Sequence, residues 1–293
     1  MPSSYAELKS DARILARFLD RYHKIWQTNF PGLNKRAHWH VIFAARTTSS
    51  EGVSCRSIHR ALYGTYGTDI RTCIERIKDC EADGFVRLVD PSNQACAASP
   101  SCIVVPTERL RASFDAHCTA TFAEVRAVFD EDEDARLSCS PAAAAAIYAF
   151  FAGYDRNWRD TSELVARWKG LTPAYLNDAV DHLITYQYWA IVMLLWSRSE
   201  FGSDDPPPHA LVVDEINSKM WDTLRLGHLA IRERVGNLIR WGFFAEQTIK
   251  KHKAVSLTPV AGAAIAKCLE NSKPLLADLH RKLVAETREL ALL

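Results

Sequence analysis

Apolar residues recur at helical spacing along most of the chain. From Tyr5 to Trp26 they fall at Leu8, Ile14, Leu15, Phe18, Leu19, Tyr22 and Ile25, one stripe of a 3.6-residue helix. Pro31-Gly32 stops it. Shorter helices are predicted over His38 to Ala45, Ser54 to Tyr63 and Thr68 to Ala82, with Gly84 just past the last. The pattern then changes. Phe85 to Val89 and Ile103-Val104-Val105 are short apolar runs flanking the polar and small residues of Pro91 to Ser101, which reads as strand, tip and returning strand. Thr107 to Phe129 is a long helix. The acidic run Asp130 to Asp134 repels itself and stays solvated, so with Ser138-Cys139-Ser140-Pro141 behind it this is the best linker. The cycle then starts again. Helices are expected over Pro141 to Lys169, Ala174 to Trp196, Asp214 to Met220 and Gly227 to Arg240. Strands follow at Phe243 to Gln247 and Ala254 to Leu257 around a Lys250 to Lys253 tip, and Pro259 to Leu290 closes the chain as a helix.

The second cycle repeats the first in register. Shifting Val53 to Phe85 by 158 positions places it on Leu211 to Phe243 without a gap. Ile58 then falls on Ile216, Glu75 on Glu233, Arg76 on Arg234, Gly84 on Gly242 and Phe85 on Phe243. Upstream the offset is 150, which places Trp39 on Trp189, Val41 on Ile191 and Ser49 on Ser199. An eight-residue insertion, located by Asp204-Asp205-Pro206-Pro207-Pro208, accounts for the change. One unit occurring twice predicts two copies of one small domain, expected over residues 1–138 and 139–293. Three helices followed by two strands and a tip form a winged helix-turn-helix. The fold class expected is mainly α with small β-wings: two tandem winged helix-turn-helix domains joined by long packed helices.

Composition narrows the rest. A chain of 293 residues, 48% hydrophobic and 24% charged, has the makeup of an ordinary globular protein. No apolar run reaches the roughly 18 residues that span a bilayer, and no secretory pattern opens the chain, so no membrane contact and a cytoplasmic location are expected. None of the eight cysteines forms a C-x-x-C pair, and buried reduced thiols explain most of them. Cys96 and Cys102 on the first tip are the candidates for redox chemistry. No nucleophile elbow, phosphate loop or paired carboxylates stand out, so no enzyme activity and no cofactor are expected. His38 and His40 lie two apart on a helix and point to different sides, so no metal is expected either.

The stretch Ile77 to Leu88 (IKDCEADGFVRL), followed by Ile103 to Thr107, resembles the MarR family of bacterial regulators. In the second copy LIRWGFF at Leu238 to Phe244 and Leu257-Thr258 with Gly262 match that family's helix-to-strand turn and its next helix more closely. The resemblance covers nearly the whole chain, once per half. It implies a transcription regulator, of the repressor type, binding double-stranded DNA and released by a small aromatic effector. Family members are homodimers with entwined terminal helices. This chain resembles both subunits fused into one pseudo-dimer, which would act as a monomer. Neither copy carries the family's Asp-x-Arg wing motif.

Charge distinguishes the copies. From Val53 to Val105 six basic residues face six acidic ones, while from His209 to Lys253 eight basic residues face five acidic ones. The first tip, Ser92 to Ser101, carries no charge, whereas Lys250, Lys251 and Lys253 form a cationic second tip suited to phosphates. The candidate DNA contacts are Thr68, Arg71, Thr72 and Arg76 on the first recognition helix with Arg87 beside it, and His228, Arg232 and Arg234 on the second with the three lysines. An imperfect palindrome is the expected target. The competing expectation for the helix arginines is a solvated face with ion pairs such as Arg71 to Glu75. Candidate ligand-binding residues are Trp26, His38, Trp39 and His40 in the first copy and Tyr186 and Trp189 in the second. Simple core packing of Trp39 and Trp189 competes with that. A second function stays open: a degenerate winged-helix pair that binds another protein instead of DNA.

Overall fold

The computed structural model describes residues 5–33, 36–47, 52–66, 68–129, 140–172, 186–198, 210–224, 227–249 and 251–290. The protein is mainly helical with two small antiparallel sheets. Its elements are α1 (Tyr5–Asn29), α2 (Arg36–Thr47), β1 (Val53–Ser54), α3 (Cys55–Tyr66), α4 (Ile70–Ala82), β2 (Val86–Val89), β3 (Ile103–Pro106) and α5 (Glu108–Val128). These are followed by α6 (Pro141–Trp168), α7 (Tyr186–Arg198), β4 (Leu211–Val212), α8 (Val213–Leu224), α9 (His228–Arg240), β5 (Phe244–Ile249), β6 (His252–Leu257) and α10 (Pro259–Leu290). The acidic run and the expected boundary after residue 138 lie outside the described residues.

The two cycles agree element by element. α3 and α8 start and end 158 residues apart, and so do α4 and α9. Each copy holds a three-stranded sheet, ordered β1-β3-β2 in the first and β4-β6-β5 in the second. Val53 faces Val104 as Leu211 faces Val255, and Val86 faces Pro106 as Phe244 faces Leu257. The turn out of α4 and out of α9 needs a left-handed residue, supplied by Gly84 at φ 72° and Gly242 at φ 87°. A threonine then clasps that turn to the following long helix. Thr107 Oγ1 donates to the Gly84 carbonyl and Thr258 Oγ1 to the Gly242 carbonyl, both at 2.8 Å. The same hydroxyls accept from Leu110 and Ala261 amides in the first turns of α5 and α10, both at 3.2 Å.

The chain divides into two compact units that do not follow chain order. One comprises Met1–Asp20 and Ala152–Leu276, the other Arg21–Phe151 and Ala277–Leu293. The second of these has an aromatic core. The Trp26 indole lies 4.6 Å from Trp39 and 4.4 Å from Phe30 between ring centroids, and Phe43 meets Phe114 edge-on at 5.1 Å. In the other unit the core includes Trp158, Trp189, Trp241 and Phe243, all buried, with Tyr188 tilted on Trp241 at 5.1 Å.

Within the first wing Cys96 and Cys102 form a disulfide, a pairing the spacing alone did not specify. Cys55, Cys73, Cys80, Cys118 and Cys268 are free and buried. Burial pushes the Cys73 thiol up to about 12, which keeps it protonated and unreactive at neutral pH. Titration of the denatured chain is therefore expected to find two more thiols after reduction than before it, those of Cys96 and Cys102. Eight thiols without reductant would remove the cross-link.

Candidate nucleic-acid interface

In the second repeat α9 buries Ile231, Val235 and Leu238, a seam at i, i+4 and i+7. The seam turns His228, Leu229, Arg232 and Gly236 toward solvent. Asp214, in the first turn of α8, ties this outer edge together. Its carboxylate accepts from His228 Nε2 at 2.8 Å and lies 3.4 Å from Arg232. The His228 hydrogen bond, with Arg232 helping, holds the Asp214 carboxyl below the usual carboxylate range. Pairing in β5 and β6 runs out to Ile249 opposite His252, which leaves only a short turn between the strands. This is tighter than the four-residue tip read from the sequence. Lys251 takes a left-handed φ of 71°, as a two-residue hairpin requires. Lys253 sits in the strand opposite Thr248, with its ammonium 3.1 Å from Glu246. Lys250 lies outside the described residues.

Wing and helix enclose a cleft of about 470 Å³. Asp214 and Arg232 line one side, Glu246, Lys251 and Lys253 the other, and Gly236 is exposed among the lining residues with open space where a Cβ would be. The acids do not neutralise this surface firmly. Exposed pairs such as Lys253 with Glu246 are worth about 0–1 kcal/mol, so the ammonium exchanges readily to a stronger anion.

In the first repeat α4 buries Cys73, Ile77 and Cys80, the same seam. Thr68, expected on the recognition helix, instead precedes the N-cap, because Asp69 caps α4 by accepting from the Thr72 amide at 2.9 Å. Thr72 also gives its hydroxyl to Asp69 at 2.9 Å, and these contacts, the backbone one first, lower the Asp69 carboxyl. Arg71 is exposed, 3.6 Å from Glu75. Arg87 is exposed on β2 and reaches Asn93 in the wing at 3.3 Å. The first wing is shaped by Asp90, which accepts from the Gln94 and Ser92 amides and the Ser92 hydroxyl, and carries no cation.

Arg76 and Arg234, proposed from sequence as DNA contacts, are turned the other way. Arg76 has a side chain only 17% exposed and bonds Asp79 at 2.6 Å. Asp79 is 3.0 Å from His38 on α2. Burial raises the Asp79 carboxyl, but the His38 and Arg76 hydrogen bonds outweigh it and the net direction is down. The equivalent Arg234 donates through Nε to Gln187 on α7 at 2.9 Å and lies over the Tyr188 ring at 5.7 Å. Asn237, equivalent to Asp79, donates to the Tyr188 hydroxyl at 2.8 Å. In both copies these two positions connect α4 or α9 to the second helix before it, α2 or α7.

No known protein family, curated protein or solved structure matches the chain.

The residues expected to bind a ligand are committed elsewhere. Trp26 is buried and donates to the Leu33 carbonyl at 2.6 Å. His38 faces Asp79, whereas His40 meets the Tyr148 hydroxyl at 2.7 Å. Trp39 packs edge-on against Tyr22 and Phe151. Trp189 is buried and bonds the Tyr154 hydroxyl. Tyr186 opens α7, with its side chain outside the description. Trp26, His38, His40 and Trp189 are buried and Trp39 is half-buried. Sequence reasoning missed His117. It is fully buried on α5, bonds the Tyr22 hydroxyl at 3.1 Å through Nε2, and leaves Nδ1 without a partner. Its spacing from Leu110, Phe114 and Cys118 already put it on the apolar stripe. Among the described residues no helix is long and apolar enough to cross a membrane.

Proposed function

We propose that the chain is a DNA-binding regulator in which one polypeptide carries two winged helix-turn-helix modules, a covalent pseudo-dimer. One observation carries the reading: the same helix–helix–hairpin unit occurs twice, and in the second copy the outward edge of the recognition helix and the wing both present cations around one cleft. The recognition helix would enter the major groove through His228 and Arg232, while Lys250, Lys251 and Lys253 hold phosphates. The first module, with an uncharged wing, would add Arg71 and Arg87 and less phosphate energy, which suits an imperfect palindrome. That uncharged wing also favours the second reading, in which a degenerate winged-helix pair docks on a protein.

Fluorescence anisotropy on a pool of genomic duplexes separates the two. Binding is expected to weaken steeply with salt, with a log–log slope of about −0.9 per phosphate contacted. Lys251→Ala and Lys253→Ala are each expected to weaken all duplexes alike and flatten the slope by about one. Absence of binding at low salt would overturn the DNA reading and leave the protein-docking one.

A further inference from the structure

The position following the first residue of α4 and of α9 carries different chemistry in the two repeats. Arg71 and Leu229 correspond across the repeat and occupy this position in α4 and α9. The Arg71 side chain is 89% exposed. Leu229 is 81% exposed, more than any other large apolar residue among the described residues. A single exposed leucine is ordinary. This one is informative because of where it sits. It lies beside His228 and one turn before Arg232, on the edge facing away from the Ile231, Val235 and Leu238 seam. Arg232 and Glu233, both exposed, follow it one turn on, so a hydrophobic protein partner would meet a single leucine among charged side chains. A polyanion with an apolar group in its groove fits better.

We infer that Arg71 reads guanine and Leu229 reads the 5-methyl of thymine at corresponding positions of two half-sites. The inference rests on the DNA-binding reading. Residues at the N-terminal end of a recognition helix reach base edges. Guanine offers the O6 and N7 acceptors that match a guanidinium fork, and thymine offers the only methyl group in the major groove. The exposed Arg71–Glu75 pair does not prevent this, since such pairs are weak. The target is therefore asymmetric by design of this one position, beyond the asymmetry in phosphate energy.

Selection of bound duplexes from a random library, with the full chain and with Leu229→Arg, tests it. The wild-type protein is expected to enrich guanine in one half-site and thymine at the corresponding position of the other. Leu229→Arg should replace that thymine by guanine and leave the other half-site unchanged. Replacing the thymine by deoxyuridine removes only the methyl and should weaken wild-type binding about fourfold, with no change for Leu229→Ala. Matching thermal melts check that these exposed-site variants stay folded. If the wild type binds no duplex, the regulator reading itself falls and takes this inference with it. If it binds, but Leu229→Arg selects the same sequences and uracil is neutral, the inference alone is overturned.

Discussion

Acidification from pH 7 to pH 4.5 is expected to remove roughly 2–3 kcal/mol of stability through His117 alone. The imidazole is fully buried on α5, with Trp26 at 5.4 Å, Phe30 at 5.7 Å and Phe114 at 6.0 Å between ring centroids. Its polar contact is the Tyr22 hydroxyl, a neutral group. Burial lowers its pKa from 6.5 to about 3. The direction of the effect follows. The folded protein keeps His117 neutral, while the unfolded chain takes up a proton below pH 6.5. The full contribution is present above the unfolded value and is lost as pH falls toward the folded one, at about 1.4 kcal/mol per pH unit. Carboxylates such as Asp69 and Asp214 lose their own contributions at lower pH, so a variant must isolate the histidine. Urea unfolding of the wild type and of His117→Leu at pH 7 and pH 4.5 does so. The wild type should lose stability between the two conditions by that amount more than the variant, whatever the variant's stability at pH 7. Equal losses would show that His117 is solvated or protonated in the fold.

Much of the fold was legible because period and punctuation are local. Helix α1 carries its stripe and its Pro31-Gly32 stop in the sequence, and α10 was bounded at both ends. The repeat is legible because Gly84 and Gly242 both take the left-handed backbone that side chains disfavour, so the same residue ends α4 and α9. The strands β1 and β4 were not, since two residues carry no alternation. The extra strand pairing out to Ile249 and His252 is not legible in the sequence, because no glycine or asparagine there marks a tight turn. Thr68 falls outside α4 because Asp69 caps the helix and threonine and aspartate are both good caps, so the sequence alone does not choose between them. For the site, charge and spacing gave the outer edge of α9 and the cationic wing. They could not give the inward turn of Arg76 and Arg234. Helical spacing says which face a residue occupies but not which partner is waiting there, and His38, Gln187 and Tyr188 come from other helices, α2 and α7. The Cys96–Cys102 pairing depends on how the first wing doubles back, which composition does not encode.

Gly52→Ala is expected to destabilise the Arg21–Phe151 unit by about 3 kcal/mol, a backbone strain term and a packing clash together. Gly52 enters β1 at φ 88°, a conformation that side chains disfavour. A Cβ there would lie 2.6 Å from the Val104 carbonyl oxygen and 2.8 Å from Ile103 Cγ2. The first obstacle is backbone in a paired strand, so relief requires opening the sheet that positions the wing. The second repeat provides the control. Ala210 stands at the corresponding position, and it is not among the residues with positive φ. Its neighbouring strand carries Ala254 and Ser256 where the first has Ile103 and Val105. The two copies therefore enter their equivalent sheets by different backbone routes, each matched to its own strand. Ala210→Gly should cost under about 1 kcal/mol, from unfolded-state entropy alone. Thermal melting distinguishes them: Gly52→Ala should lower the transition by about 10 °C and Ala210→Gly by no more than about 3 °C. Similar melts for both variants would mean that the first sheet can yield at Gly52, and that the tight approach to Val104 does not hold β1 in place.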